Sequence, residues 1–344
     1  MLDSTDIERR RGECACRAAP PPRMELVVIA PQLLSVAAAA LNACASLARI
    51  AAWSRHAADV GAREEALLDA LDLPRAAAGA LFARAADIDV ASGCWLVADP
   101  VALVAGIDDV TVIARADMLD PAFVARALAL LNAHFAADSL QFAAPRAARW
   151  LAHVADAPEL TLKSTDAALG RSMYAQRPQG PDARRFERYA NEIQMLLHEA
   201  PENDARERAG LAPFNGLWLW GAGAAITPAA RVDAYATADA EGDLARGIAL
   251  ASGGRAQPLG DRLAFDADAA TIVVVALPPI VPASLAACDA GWLAPSTDAL
   301  ARGAISRLTL VADGAGTHRW TANAPTWRAR LMARLRASQF SVPA

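Results

Sequence analysis

Residues 232–253 read VDAYATADAEGDLARGIALASG. VDAYAT (232–237) has the make-up of a strand, and GDLARGIALAS (242–252) carries its apolar residues at helical spacing. The same pair recurs downstream. TIVVVAL (271–277) and ISRLTLVA (305–312) read as strands, and PASLAACDAGWL (282–293) and TWRARLMARLRA (326–337) as helices. Strand and helix alternating at this spacing specify an α/β fold with a mostly parallel sheet flanked by helices.

Upstream, GLWLW (216–220) reads as a further strand, preceded by helices over 182–200 and 203–209, the second stopped by Gly210. The segment 160–180 is irregular and ends in the turn Arg177-Pro178-Gln179-Gly180-Pro181. CWLVAD (94–99) with VTVIA (110–114), and LQFAA (140–144) with RWLAHVA (149–155), read as two strand pairs. Between them LDPAFVARALALLNAHFAA (119–137) is an amphipathic helix. Asp120 is its N-cap, Pro121 its first residue, and Phe123, Ala127, Leu130, Leu131 and Phe135 form one apolar face. Together 94–155 form an α+β layer inserted into, or packed on, the parallel sheet. Near the start, ELVVIA (25–30) is a strand, followed by an alanine-rich helix at 33–53 and two more at 62–71 and 74–86.

The division expected is a disordered extension at 1–23, an N-terminal α/β region at 24–225 that includes the α+β layer, and a C-terminal α/β region at 226–344. The two α/β regions can also form one compact unit.

At 344 residues, with 55% hydrophobic and 21% charged residues, the chain has ample material for a core. A net charge of −5 gives no electrostatic footprint for nucleic acid. Lys163 is the only lysine. Five cysteines (Cys14, Cys16, Cys44, Cys94 and Cys288) at scattered positions give no disulfide framework, which points to a reducing compartment and a cytoplasmic protein. The alanine-rich run at 33–53 is interrupted by Asn42, Ser46 and Arg49, too polar for a membrane span.

Polar chemistry concentrates in NEIQMLLHEAPENDARERAGLAPFNGLWLWGAG (191–223). On the helix, Phe186, Tyr189, Ile193, Leu196 and Leu197 recur at helical spacing and should face the core, while Asn191, Gln194 and His198 stand at i, i+3 and i+7 and line one other face. Two readings stay open for this passage: a ligand site, or a hydrogen-bonded corner of the fold. Buried amides left unpaired cost on the order of 1–3 kcal/mol each, so either reading demands partners. Asn203 and Asn215 fall in turns, where asparagine caps helices. The ligand-binding candidates are Asn191, Gln194, His198, Arg149, Asn203, Asn215, Trp218 and Trp220.

The run Asn191-Glu-Ile-Gln-Met-Leu-Leu-His198, then Pro201-x-Asn203, Arg206-x-x-x-Gly210 and Asn215-x-Leu-Trp-Leu-Trp-Gly-x-Gly223, resembles the RpfE-type regulatory protein family. Ala98-Asp99-Pro100-Val101, Leu131-Asn132-x-His134-Phe135, Arg149-Trp150 and Gln179-Gly180-Pro181-Asp182 add to the resemblance, which covers roughly 94–223. Ala102 stands where such proteins tend to have histidine. The family is distantly similar to archaeal-type cofactor-independent phosphoglycerate mutases of the alkaline phosphatase superfamily. The resemblance therefore implies a reduced alkaline-phosphatase-like scaffold.

Such mutases use a serine nucleophile and two divalent metals held by clustered Asp and His. Here the strand 25–30 is followed by Pro31, and the C-terminal half offers only His318 near Asp313. The histidines at 56, 134, 153, 198 and 318 form no His-x-x-x-His pair. The expectation is a non-catalytic regulatory protein with no catalytic residues, no metal and no cofactor, binding a small anionic ligand or a protein partner. The alternatives are a metal-dependent phosphoglycerate-mutase-like phosphotransferase, and an unrelated small-molecule binding module.

Overall fold

The computed structural model describes residues 24–58, 61–106, 109–263, 272–314 and 316–324. The expected extension at 1–23 and the helix at 326–337 lie outside these residues. Two sheets organise the chain. The first has seven strands and is mostly parallel. At its centre β1 (Glu25–Ala30) runs parallel to β10 (Ile272–Ala276) on one side and to β11 (Arg307–Ala312) on the other. Outside β10 lie β8 (Val232–Ala236) and the three-residue β9 (Ala256–Pro258), both parallel. Outside β11 lie β12 (His318–Asn323) and β2 (Ser54–Ala57), both antiparallel. The strands β2 and β9 are short and lie at the two edges of the sheet, and β12, between β2 and β11, reads HRWTAN. None of the three shows the apolar run by which a strand is recognised in sequence.

Alternation along β1 assigns its two faces. Leu26, Val28 and Ala30 join a core with Leu41 of α1 (Ala38–Ala43), Leu47 and Ile50 of α2 (Ala45–Trp53) and Leu300 of α11 (Ala294–Arg302). Val27 and Ile29 pack with Leu68 of α3 (Arg63–Ala70), Leu81 of α4 (Ala78–Ala85) and Ile248 of α9 (Ala240–Ala251). The single helix expected at 33–53 is instead a 3-10 turn at Leu33–Ser35 followed by α1 and α2, because Cys44 adopts an extended backbone (φ −81°, ψ 105°). The helix expected at 282–293 breaks up as well. A short α10 (Leu285–Cys288) passes through a π turn, Asp289–Leu293, into α11.

The second sheet is the expected α+β layer. β3 (Cys94–Ala105) is its spine, pairing antiparallel with β6 (Arg149–Val154) over Cys94–Ala98 and with β4 (Val110–Arg115) over Val101–Ala105. β5 (Gln141–Arg146) pairs with β6, and β7 (Gly216–Gly223) runs along Trp95–Val101 of β3. Its outer face is covered by α5 (Pro121–His134) and α7 (Ala183–His198), through Phe123, Leu131, Phe186, Tyr189, Ile193 and Leu197. Asp120 caps α5 as the sequence demands, accepting from Ala122 N at 2.7 Å and Phe123 N at 3.2 Å. Leu130, expected on the core face of α5, is 44% exposed. It sits one residue before Leu131, and a helix turns about 100° per residue, so only Leu131 reaches the core.

The inner face of this second sheet lies against the same core as Val27 and Ile29, with α4 between. Two glycines make that packing possible. A Cβ at Gly79 on α4 would overlap the Trp95 carbonyl oxygen of β3, and one at Gly247 on α9 would overlap the Leu81 carbonyl oxygen of α4. Backbone therefore meets backbone on both sides of α4. No helix among the described residues is long and apolar enough to cross a membrane.

Candidate functional site

Along β3, Val97, Asp99 and Val101 alternate onto the inner face, which places a carboxylate in the apolar layer between the sheets. Asp99 is wholly buried. Its Oδ2 accepts from Thr165 Oγ1 at 2.5 Å, Arg115 Nη1 at 2.8 Å and Trp220 Nε1 at 2.9 Å, while Arg149 Nε lies 3.3 Å from Oδ1. Arg149 also donates through Nη2 to Glu64 on α3 at 3.2 Å, and its guanidinium sits 4.4 Å from the Phe82 ring centre. Arg115 reaches Asp166 at 2.6 Å on α6 (Thr165–Ala168), and Arg63 reaches Asp313, just past β11, at 2.7 Å.

Burial pushes the Asp99 carboxyl up, but Arg149 and Arg115 outweigh it and hold it below the usual carboxylate range. Glu64, under the same burial, is held at about 2 by Arg149, Arg63 and Arg115. Asp166 is shifted upward, first by burial and then by Glu64.

Arg63 and Glu64 of this chain of alternating charges stand at the carboxyl ends of β1 and β10, beside Ile29 and Ala276, where open α/β sheets usually take their ligands. The void left there, against Ile29, Glu64 and Ala276, is about 10 Å³, room for about one water. Among the described residues no group of three or more His, Cys, Asp or Glu is arranged to hold a metal ion. A neighbouring cavity of about 340 Å³ is lined by Phe82, Arg146, Arg149, Leu151 and Asp243, and Arg146 donates to Asp243 at 2.7 Å across it. Each guanidinium in the network has a carboxylate partner, so the arrangement serves as an ionic joint between the layers.

A different opening has the composition of a ligand site. Beside β7, a cleft of about 320 Å³ lies between α7 and the irregular segment 160–180. Its apolar lining is Leu217 and Trp218 of β7, Phe186 of α7, and Leu162, Met173 and Tyr174 of the irregular segment. Asn191 and Gln194 project from α7 on one side, and Lys163, Gln176 and Arg177 from the irregular segment on the other. Among the described residues, nothing hydrogen-bonds to the carboxamides of Gln176, Asn191 or Gln194. Trp218 is fixed by donating Nε1 to Lys163 O at 2.8 Å. Arg177 lies over the Tyr174 ring, 3.9 Å from its centre, and 3.7 Å from Glu187. Asp109, at the rim, accepts from Val110 N at 2.7 Å and Tyr174 N at 3.4 Å.

The eight candidates from the sequence thus divide. Asn191, Gln194 and Trp218 meet in the cleft. Trp220 and Arg149 belong to the buried ionic joint. Asn203, in α8 (Glu202–Arg208), donates to Leu197 O at 3.0 Å and Phe214 O at 3.1 Å and accepts from Phe214 N at 2.7 Å. Asn215 accepts from Leu103 N at 2.7 Å and donates to Leu103 O at 2.8 Å, extending the β3–β7 pairing with its side chain. His198 is exposed at the end of α7, outside the cleft lining.

Lys163, Tyr174, Gln176 and Arg177 were not read as site residues from the sequence. Their one signal was location in a segment without periodicity, ending in a Gln-Gly-Pro turn. Likewise Glu64 and Asp99 looked like ordinary helix and strand positions, because burial of a lone carboxylate is decided by what packs over it.

No family model matches the chain, and no curated protein matches it. Among solved structures, the chain is similar to a cofactor-independent phosphoglycerate mutase from Thermoplasma acidophilum, at 11% identity over 88% of this chain and 90% of that one, with a TM-score of 0.43. It is also similar to the PH0037 protein from Pyrococcus horikoshii, at 11% identity over 88% of this chain and 87% of that one, with a TM-score of 0.45. The likeness is one of fold and brings no residue roles with it.

Proposed function

We propose that this chain is a non-catalytic regulatory protein that binds a small organic anion in the cleft beside β7, on the kind of scaffold its RpfE-type resemblance implies. One observation carries the reading. Three carboxamides without hydrogen-bond partners among the described residues line a cavity of about 320 Å³ that is walled by aromatic and aliphatic side chains and flanked by Lys163 and Arg177. Concave, largely apolar pockets with a few convergent polar groups are the usual form of small-molecule sites. The crevice at the carboxyl ends of β1 and β10, by contrast, is filled by paired charges and offers a ligand about 10 Å³.

The test uses the purified full chain. Thermal-shift measurements against a panel of phosphorylated and carboxylated metabolites should find a stabilising ligand, since a ligand at 100 times its dissociation constant adds roughly 2.7 kcal/mol. Asn191→Ala and Gln194→Ala should abolish that shift. In parallel, manganese and 3-phosphoglycerate coupled to enolase should give no turnover. Turnover at an enzymatic rate overturns the non-catalytic reading.

A further inference from the structure

Resting on that reading, we infer that the cleft ligand is a nucleotide: a flat nitrogen heterocycle carrying a phosphate. The cleft holds the three chemistries such a molecule needs. Asn191 and Gln194 stand one turn apart on α7, and each carboxamide presents a donor beside an acceptor. That is the pairing which reads the edge of a nucleobase, where a donor and an acceptor lie side by side on one flat ring, whereas an ionised dicarboxylate offers acceptors alone. Trp218 and Tyr174 both line the cleft, one from β7 and one from the irregular segment, and base–aromatic stacking is a general source of affinity for any base. Lys163 is exposed at the same cleft, and Arg177 is already carried on the Tyr174 ring, so a cation stands next to each aromatic wall.

The order of groups also matters. Trp218 donates its only N–H to the carbonyl of Lys163, which leaves the indole a purely apolar surface in the cleft. Ring recognition therefore falls to stacking, and hydrogen-bonded discrimination falls to the carboxamides. Asp109 and Glu187 on the lining do not repel a phosphate unopposed, because Asp109 accepts from two backbone amides and Glu187 faces Arg177.

Isothermal titration calorimetry on the full chain should compare the common nucleoside monophosphates with ribose 5-phosphate, inorganic phosphate, the free nucleosides and 3-phosphoglycerate. At least one nucleotide should bind about tenfold or more tightly than both ribose 5-phosphate and its own nucleoside. Gln194→Leu should weaken nucleotide and nucleoside alike by about tenfold, the ratio one well-placed hydrogen-bonding group confers. Lys163→Met should weaken the nucleotide and leave the nucleoside unchanged. Both variants should keep the parent's unfolding midpoint, which separates lost binding from lost folding. If ribose 5-phosphate or 3-phosphoglycerate binds as tightly as any nucleotide, with loss on Asn191→Ala, the nucleotide assignment is wrong while the anion-binding reading stands. If no compound in either panel binds, both readings fall.

Discussion

Arg149 on the antiparallel layer donates to Glu64 on α3, the helix packed on the parallel sheet, at 3.2 Å, and each residue is more than nine-tenths buried. This pair, with Asp99 behind it, ties the two sheets through charge in a layer that is otherwise apolar. Removing one partner from such a cluster leaves an uncompensated buried ion. Arg149→Leu should therefore destabilise the protein by about 3–5 kcal/mol, read as a lowered urea midpoint. Replacing Arg149 and Glu64 together with apolar residues should recover part of the loss.

The same pair sets a pH dependence. Glu64, held at about 2 in the folded protein, gains its stabilising charge fully above its unfolded value near 4.5 and loses it as pH falls through about 2. Asp99 works in the same direction, and Asp166, whose carboxyl is shifted upward, works against them. Unfolding midpoints should fall between pH 5 and pH 2, and Glu64→Gln should flatten that slope. An unchanged slope in the variant would remove Glu64 from the account.

At the far edge of the parallel sheet, His56 Nε2 and His318 Nδ1 are 2.9 Å apart, stacked beside Trp320. One proton can sit between them, and a second meets like charge. Burial and then His318 hold His56 below its ordinary 6.5. The neutral form is thus favoured by folding, and its contribution is present above pH 6.5 and fades as pH falls below it. Imidazole resonances should show His56 titrating below 6.5, moving toward that value in His318→Gln.

Asn203 and Asn191 should separate cleanly in a stability assay. Asn203→Ala removes the side-chain partner of Phe214 O and Phe214 N in a buried corner, while Leu197 O keeps the backbone N–H of Ala200, at a cost of about 2–4 kcal/mol. Asn191→Ala, on an exposed position with no hydrogen-bond partner among the described residues, should change stability by less than about 0.5 kcal/mol.

Gly247→Ala reverses the usual helix-propensity gain of about 1 kcal/mol, because the added methyl meets the Leu81 carbonyl of α4. Backbone cannot step aside as a side chain does. The substitution should cost about 1–3 kcal/mol, seen as a lower thermal midpoint.

Alternation of strand and helix at 232–253, 271–293 and beyond was enough to specify the parallel sheet, and Asp120-Pro121 was enough to start α5. These are local signals, because periodicity and capping act over a few residues. The passage 191–223 was also legible as unusual, and its helix, its Gly210 stop and its strand stand where the sequence puts them.

What the sequence did not contain was the division of labour within that passage. Asn191, Gln194, Asn203 and Asn215 are chemically near-equivalent side chains. Two of them meet backbone from Phe214 and Leu103, brought beside them by the packing of α8 and the β3–β7 pair, and two meet a cavity closed by a segment with no periodicity. Likewise Asp99 is one carboxylate among many until Arg115, Arg149 and Trp220, up to 121 residues away, converge on it. Hydrogen-bond partners at that separation are set by how the layers stack, and one-dimensional spacing carries no record of it.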